Sequence, residues 1–120
     1  MTHRNAQLSQ AEEALRRADS DPATLRTLMQ RIAQWISHEN PGAPMTAADL
    51  DDQANQQAWA HLKRISRFGR VDSDRREALR AALVAAMPGP RDDETDAGLD
   101  RPAETRGEYA LRIRAAARAS

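Results

Sequence analysis

Histidine is the residue type in this chain best suited to acid–base chemistry near neutral pH, and it occurs at positions 3, 38 and 61. None of the three belongs to the zinc-binding pattern H-E-x-x-H. His61 falls within the apolar arc of a predicted helix, and the sequence places no second titratable group beside it. We therefore interpret His61 as a residue at the edge of the core with one satisfied hydrogen bond.

Other catalytic and ligand-binding motifs are missing from the sequence. The chain has no cysteine, which excludes disulfides, thiolate nucleophiles and sulfur-containing zinc sites. Its five glycines form neither a dinucleotide-binding nor a P-loop motif, and no serine lies in a nucleophile elbow. The acidic run before Gly98 starts like a calcium loop, but Ala97 occupies a ligand position in the register that Gly98 fits. We predict a non-enzymatic protein without catalytic residues, bound metal or cofactor.

Arginine dominates the basic residues, because Lys63 is the single lysine among 18 of them. Arginine suits phosphates and guanine edges, but the net charge is zero and the chain also holds 24 alanines. This composition is typical of a GC-rich, bacterial genome. Predicted helices over 47–68 and 74–87, joined at Gly69, follow the layout of a helix-turn-helix. DNA binding is therefore an alternative function, with these candidate residues: Arg67, Arg70, Arg75, Arg76 and Arg80.

Proline and glycine divide the chain into helix-length pieces, and no segment alternates with a period of two. A first helix is expected from about Asn5 to Ala18. Asp21 and Pro22 predict the start of a second helix, whose 3-4-3 spacing indicates this buried face: Leu25, Leu28, Met29, Ile32, Trp35 and Ile36. Thr46 is expected to cap the third helix, and Gly69 is expected to end it in a left-handed conformation directly after Phe68.

The predicted fold is all-α, with a small three- to four-helix bundle over residues 1–87. A flexible, acidic Pro/Gly linker follows over residues 88–102, and a detached, basic amphipathic helix over residues 103–120. Leu, Ile, Val and Phe make up only 17 of 120 residues, so the core is thin and a partner or a second copy would stabilise it. No apolar run reaches the roughly 18 residues of a membrane span, and the first residues lack the apolar segment of a signal peptide. We expect a cytoplasmic protein.

The leading functional hypothesis is a regulatory or adaptor protein that binds another protein. Trp35 and Trp59 are the candidate anchors on the second and third helices. Trp59 lies about 180° around its helix from Leu50, so either it is exposed or a terminal helix covers it. The C-terminal helix offers further candidate partner-binding residues: Tyr109, Arg112 and Ile113. This helix can dock on a partner, on its own body or on a second copy, and a self-assembling structural subunit is a further alternative.

Overall fold

The computed structural model describes residues 3–18, 20–91 and 103–119, with side chains described from Gln10 onward. These residues form five helices: α1 (His3–Arg17), α2 (Pro22–His38), α3 (Ala47–Ile65), α4 (Ser73–Ala86) and α5 (Arg106–Ala119). The predicted all-α class and the four-helix body are confirmed. Most of the predicted linker, residues 92–102, lies outside the described residues. No described helix combines the length and the apolar character that a membrane span requires.

Helix α2 begins and ends where the sequence indicates. The Asp21 carboxylate accepts a hydrogen bond from the Thr24 backbone N–H at 2.8 Å, and Pro22 occupies the first helical position. Asn40, just beyond the helix, adopts a left-handed conformation with φ of 54°. The apolar stripe between these ends is buried, with the exception of Trp35, and it forms one wall of the core.

Helix α3 starts at a capping box. Thr46 Oγ1 accepts a hydrogen bond from the Asp49 backbone N–H at 3.0 Å, and the Asp49 carboxylate accepts one from the Thr46 N–H. The helix ends at Ile65, three residues before the predicted end at Phe68, because Ser66 turns to an extended conformation. Phe68 therefore lies outside the helix with 85% of its surface exposed, and the predicted end of the helix at Phe68 is wrong. Gly69 has the expected positive φ, 71°.

Helix α4 packs against both α1 and α3, and α2 packs against α5 and, less extensively, α3. The core between them is rich in alanine, which lets the helices approach closely. The largest fully buried side chains are Leu28, Met29, Ile32, Ile36, Met45, Leu79, Leu83, Tyr109 and Ile113. They come from α2 and α4 of the body, from the loop before α3 and from α5, so α5 contributes to the same core.

Helix α5 is separate in sequence but not detached in space. Its Tyr109, Ala110, Ile113 and Ala117 are buried against the body, chiefly against α2. The loop after α2 holds the start of α5 through three backbone hydrogen bonds. Gly107 N–H donates to the Pro41 carbonyl at 3.0 Å, and two bonds of 2.8 Å join Met45 N–H to the Glu104 carbonyl and Arg106 N–H to the Ala43 carbonyl. The two 2.8 Å bonds flank a one-residue β-bridge between Pro44 and Thr105. The sequence allowed this helix to dock on a partner, on a second copy or on its own body. In the structure it packs on its own body.

Candidate functional site

The two tryptophans both lie at the surface. Trp35 has 49% of its surface exposed, so its expected burial on the α2 face is wrong. It lies at the edge of the apolar stripe, four residues and so one turn beyond Arg31. Trp59 has 42% of its surface exposed, and the Lys63 ammonium lies 4.6 Å from the centroid of its ring. The cation covers part of one face of the indole, and the rest remains open to a partner.

The three predicted partner-binding residues of α5 make contacts within the chain instead. Tyr109 and Ile113 have no exposed surface. The Tyr109 hydroxyl donates a hydrogen bond to the Pro88 carbonyl, and burial raises the pKa of this phenol above its ordinary value. Arg112 forms an ion pair with Glu104. In this conformation the three side chains hold α5 on the body. Tyr109 and Ile113 are buried there, whereas the Arg112 side chain keeps 30% of its surface exposed.

Glu104 is a structural residue that the sequence did not single out. Its side chain is 5% exposed and its Oε1 accepts two hydrogen bonds, from Arg112 Nη1 at 2.7 Å and from the Arg91 backbone N–H at 3.0 Å. The Glu104 backbone N–H in turn donates to the Arg91 carbonyl at 2.9 Å. A carboxylate directly after an acidic linker looks like one more solvated charge, and only its distance of eight residues from Arg112 hints at a pair.

Of the arginines proposed for DNA binding, Arg75 and Arg80 make contacts that join helices of the body. Arg75 Nε donates a hydrogen bond to the Ala18 carbonyl at 2.7 Å, which ties α4 to the end of α1. Arg80 pairs with Asp51 on α3 and with Glu77. Arg76 is half-buried, whereas Arg67 and Arg70 are exposed.

The connection between α3 and α4 spans residues 66–72, longer than the turn of about three to four residues in a helix-turn-helix. Asp72 is the N-cap of α4, so it places a carboxylate at the start of the helix that would enter the groove of DNA. DNA binding stays a prediction, with Arg67 and Arg70 as its most exposed residues.

A cleft opens where the start of α2 lies beside the end of α3. Its two adjoining parts, of about 520 and 360 Å³, share four lining residues: Asp21, Thr24, His61 and Ile65. Arg16 of α1 lines the larger part, and Arg31 and Arg64 line the smaller part. The short connection between α1 and α2 brings the last turn of α1 to this position. We call these seven residues, with Leu28 at the floor, the α2–α3 groove.

The groove has a positive electrostatic character. No described residue forms an ion pair with Arg16, Arg31 or Arg64. The one acidic side chain of the groove, Asp21, already accepts the hydrogen bond that caps α2, and this bond holds the pKa of its carboxyl below the ordinary value.

His61 lies inside this positive field. Partial burial lowers the pKa of its imidazole, and the charges of Arg64, Arg31 and Arg75 lower it further, whereas Asp21 acts in the opposite direction. The expected position of His61 at the edge of the core agrees with its half-buried surface. Its place in a cleft was not visible in the sequence, because the angular position of His61 on α3 does not show which helix faces it.

A second cleft, of about 480 Å³, lies between α2 and α5 and is lined by Gln30, Gln34, His38, Arg114 and Arg118. Its lining is polar throughout, and Arg114 already lies 3.5 Å from the Ser37 hydroxyl. The α2–α3 groove differs because it combines unpaired arginines with Ile65, whose surface is 51% exposed. This combination of charge and apolar surface is typical of protein-binding sites.

His61 has no hydrogen-bonded nucleophile or carboxylate among the described residues, and no three described His, Asp or Glu side chains converge as metal ligands. The chain matches no protein family model, no curated protein and no solved structure. The function of the groove is therefore argued from its own chemistry.

Proposed function

We propose that this chain is a non-enzymatic adaptor or regulatory protein of the cytoplasm that binds another protein through the α2–α3 groove. The observation that carries this proposal is the exposed Ile65 beside Arg31 and Arg64, two arginines for which the described residues provide no ion-pair partner. Trp35 extends the same flank of α2 by one turn. Tryptophan and arginine are among the side chains most enriched where proteins bind one another, and Ile65 adds exposed apolar surface beside them.

The shape of the site favours a protein over a small molecule. Small-molecule sites are concave and bury about 70–90% of the ligand surface. The α2–α3 groove is open along its length, and its lining combines charged side chains with apolar ones such as Ile65. A helix or a peptide segment can lie along such a groove, whereas a metabolite would remain largely exposed to water.

Helix α5 supports this binding surface indirectly. It packs on α2 and thereby fixes the helix that carries Arg31 and Trp35. We therefore assign partner contact to α2 and α3, and we assign to Tyr109, Arg112 and Ile113 the role of holding α5 in place. This assignment replaces the expectation that α5 itself reaches a partner.

Affinity capture with matched variants tests the proposal. The immobilised wild-type chain is compared with an Arg31→Glu/Arg64→Glu double variant and with Arg70→Glu, an exposed arginine in the α3–α4 connection. We expect a protein that wild type and Arg70→Glu retain and that the double variant loses. Circular dichroism confirms that all three chains are helical. Identical sets of captured proteins from all three chains would contradict the proposal, and capture of the chain itself would indicate self-assembly instead.

A further inference from the structure

We propose that the α2–α3 groove is specific for an acidic peptide segment of the partner protein, with carboxylates that pair with Arg31 and Arg64 and an apolar side chain that covers Ile65. This inference rests on the proposed function and adds the chemical class of the partner. Two further features of the groove support it: the balance of charge among its lining residues and the position of His61 between them.

The charge of the groove is unbalanced in one direction. Three arginines line it, from α1, α2 and α3, against one carboxylate, that of Asp21. The planar guanidinium group presents paired N–H donors that match the two oxygens of a carboxylate. Since Arg31 and Arg64 have no ion-pair partner among the described residues, an incoming Glu or Asp would meet groups that are free to rotate toward it.

The apolar part of the groove distinguishes a peptide from a nucleic acid. Ile65 is half exposed beside His61 and above Leu28, so an amphipathic segment can bury an aliphatic side chain there while its carboxylates reach the arginines. A nucleic acid would bring a continuous row of phosphates past Asp21 and would leave Ile65 uncovered. The groove contains few arginines, and the Asp21 carboxylate lies among them, so it suits an acidic peptide better than a nucleic acid.

His61 links this binding to protons. The charged groups that face it are Arg16 from α1, Asp21 and Arg31 from α2, Arg64 from α3 and Arg75 from α4. Four of these five are positive, so the free groove disfavours a charged imidazole. Partner carboxylates at Arg31 and Arg64 would cancel part of this field and raise the affinity of His61 for a proton. Binding should therefore take up protons near neutral pH, and affinity should increase as the pH falls, by at most about tenfold per pH unit for one proton.

The test uses synthetic peptides and isothermal titration calorimetry. One probe is an amphipathic peptide of about 20 residues, long enough to form a helix, with Glu along one face and Leu along the other. Its matched control has Gln in place of every Glu. We expect the Glu peptide to bind at least about tenfold more tightly at low salt, a difference of about 1.4 kcal/mol, and to weaken as salt is added. Arg31→Gln/Arg64→Gln should remove this preference and Arg70→Gln should retain it.

Proton uptake gives a second readout. Titrations in two buffers of different ionisation enthalpy count the protons bound with the peptide. We expect a fractional uptake near pH 7 in the wild-type chain and none in His61→Gln, each measured at peptide concentrations that saturate the chain. A groove that merely contains His61 as a packing residue would show no uptake in either chain.

The outcomes separate this inference from the proposed function. Equal affinity for the Glu and Gln peptides, or failure of both to bind at about 1 mM, would overturn the acidic specificity. In that case, capture of a protein that depends on Arg31 and Arg64 would still support the groove as a docking surface. Displacement of the Glu peptide by a single-stranded oligonucleotide of equal charge at lower concentration would overturn the inference in favour of nucleic acid. Loss of both peptide binding and groove-dependent capture would overturn both proposals.

Discussion

At the scale of single residues, Glu104, two residues before α5, links the start of that helix to Arg91. Its carboxylate is buried and accepts hydrogen bonds from Arg112 and from the Arg91 backbone. We expect Glu104→Ala to lower the free energy of unfolding by about 3 kcal/mol, because it leaves a partly buried guanidinium and a backbone N–H without their acceptor. Urea unfolding, followed by circular dichroism, measures this loss.

Glu13→Ala is the matched control for Glu104→Ala. Glu13 is exposed on α1, where alanine is an equally good helix former, so we expect a change within about 0.5 kcal/mol. A loss in Glu104→Ala no larger than that of the control would show that the ion pair and the backbone contact contribute no net stability.

His61 makes the stability of the protein depend on pH. The pKa of its imidazole is lowered in the folded chain by burial first and by Arg64 second, from an ordinary value of 6.5. The unfolded chain therefore binds a proton at a higher pH than the folded chain does. The stability associated with neutral His61 is fully present above pH 6.5 and is lost as the pH falls through the interval between the two pKa values.

We expect His61→Gln to flatten the decrease in unfolding free energy between about pH 7.5 and pH 5. The lowered pKa values of Asp21, Glu77 and Glu108 do not interfere, because the stability linked to these carboxylates is lost only below their ordinary values of about 4. Urea unfolding at a series of pH values provides the measurement. Parallel profiles for the wild type and the variant would contradict this account of His61.

Part of the candidate site could be predicted from residue types and their spacing in the sequence. The position of Trp59 opposite Leu50 indicated a side chain outside the main apolar face, and it is exposed. Trp35 follows the apolar spacing of α2 but lies at the edge of the stripe, and about half of its surface is exposed. His61 and Arg64 belong to a groove only because α2 lies beside them, and the sequence does not show which helices are neighbours.

At the scale of elements, Gly69 shows how the chain leaves α3. Its φ of 71° is in the region that favours glycine, and an added Cβ would meet no atom within 4 Å. We therefore expect Gly69→Ala to cost about 1 kcal/mol from the backbone conformation alone. Gly42→Ala is the matched control: its Cβ would also meet no atom within 4 Å, and its φ is not positive.

We expect Gly42→Ala to be neutral or to stabilise the fold by up to about 1 kcal/mol, because alanine narrows the unfolded ensemble. Gly69→Ala should lower the midpoint of urea unfolding, whereas Gly42→Ala should leave it unchanged or raise it. Equal effects would show that the left-handed conformation of Gly69 carries no measurable cost for alanine.

Helix starts were predictable because their signals are local. Asp21 and Thr46 cap the helices that directly follow them, and Asp72 caps α4 in the same way. The end of α3 was less predictable. Phe68 continues the apolar spacing, and no proline or glycine interrupts the sequence before Gly69, so nothing local shows that the helix stops at Ile65.

At the scale of the whole molecule, α5 illustrates the limit of sequence patterns. Its narrow apolar stripe was visible in the sequence, but a stripe fits its own body, a second copy or a partner equally well. The contacts that decide between them join residues far apart in the chain: Tyr109 with Pro88, and Glu104 with Arg91. Both contacts join residues on opposite sides of residues 92–102. The acidic composition of these residues suggested a flexible linker, with α5 detached from the body.

Deleting residues 103–120 tests whether α5 belongs to the cooperative core. Tyr109 and Ile113 are fully buried, and burial of such side chains contributes about 1.5–3 kcal/mol each, so we expect the deletion to lower the unfolding free energy by about 3–6 kcal/mol. This is a large part of the 5–15 kcal/mol typical of a domain, and a marked fall in the thermal midpoint should follow. Leu111→Ala, on the exposed face of α5, is the control and should leave the midpoint unchanged within about 2 °C. If α5 were detached from the body, the chain without residues 103–120 would instead have the same thermal midpoint as the full chain.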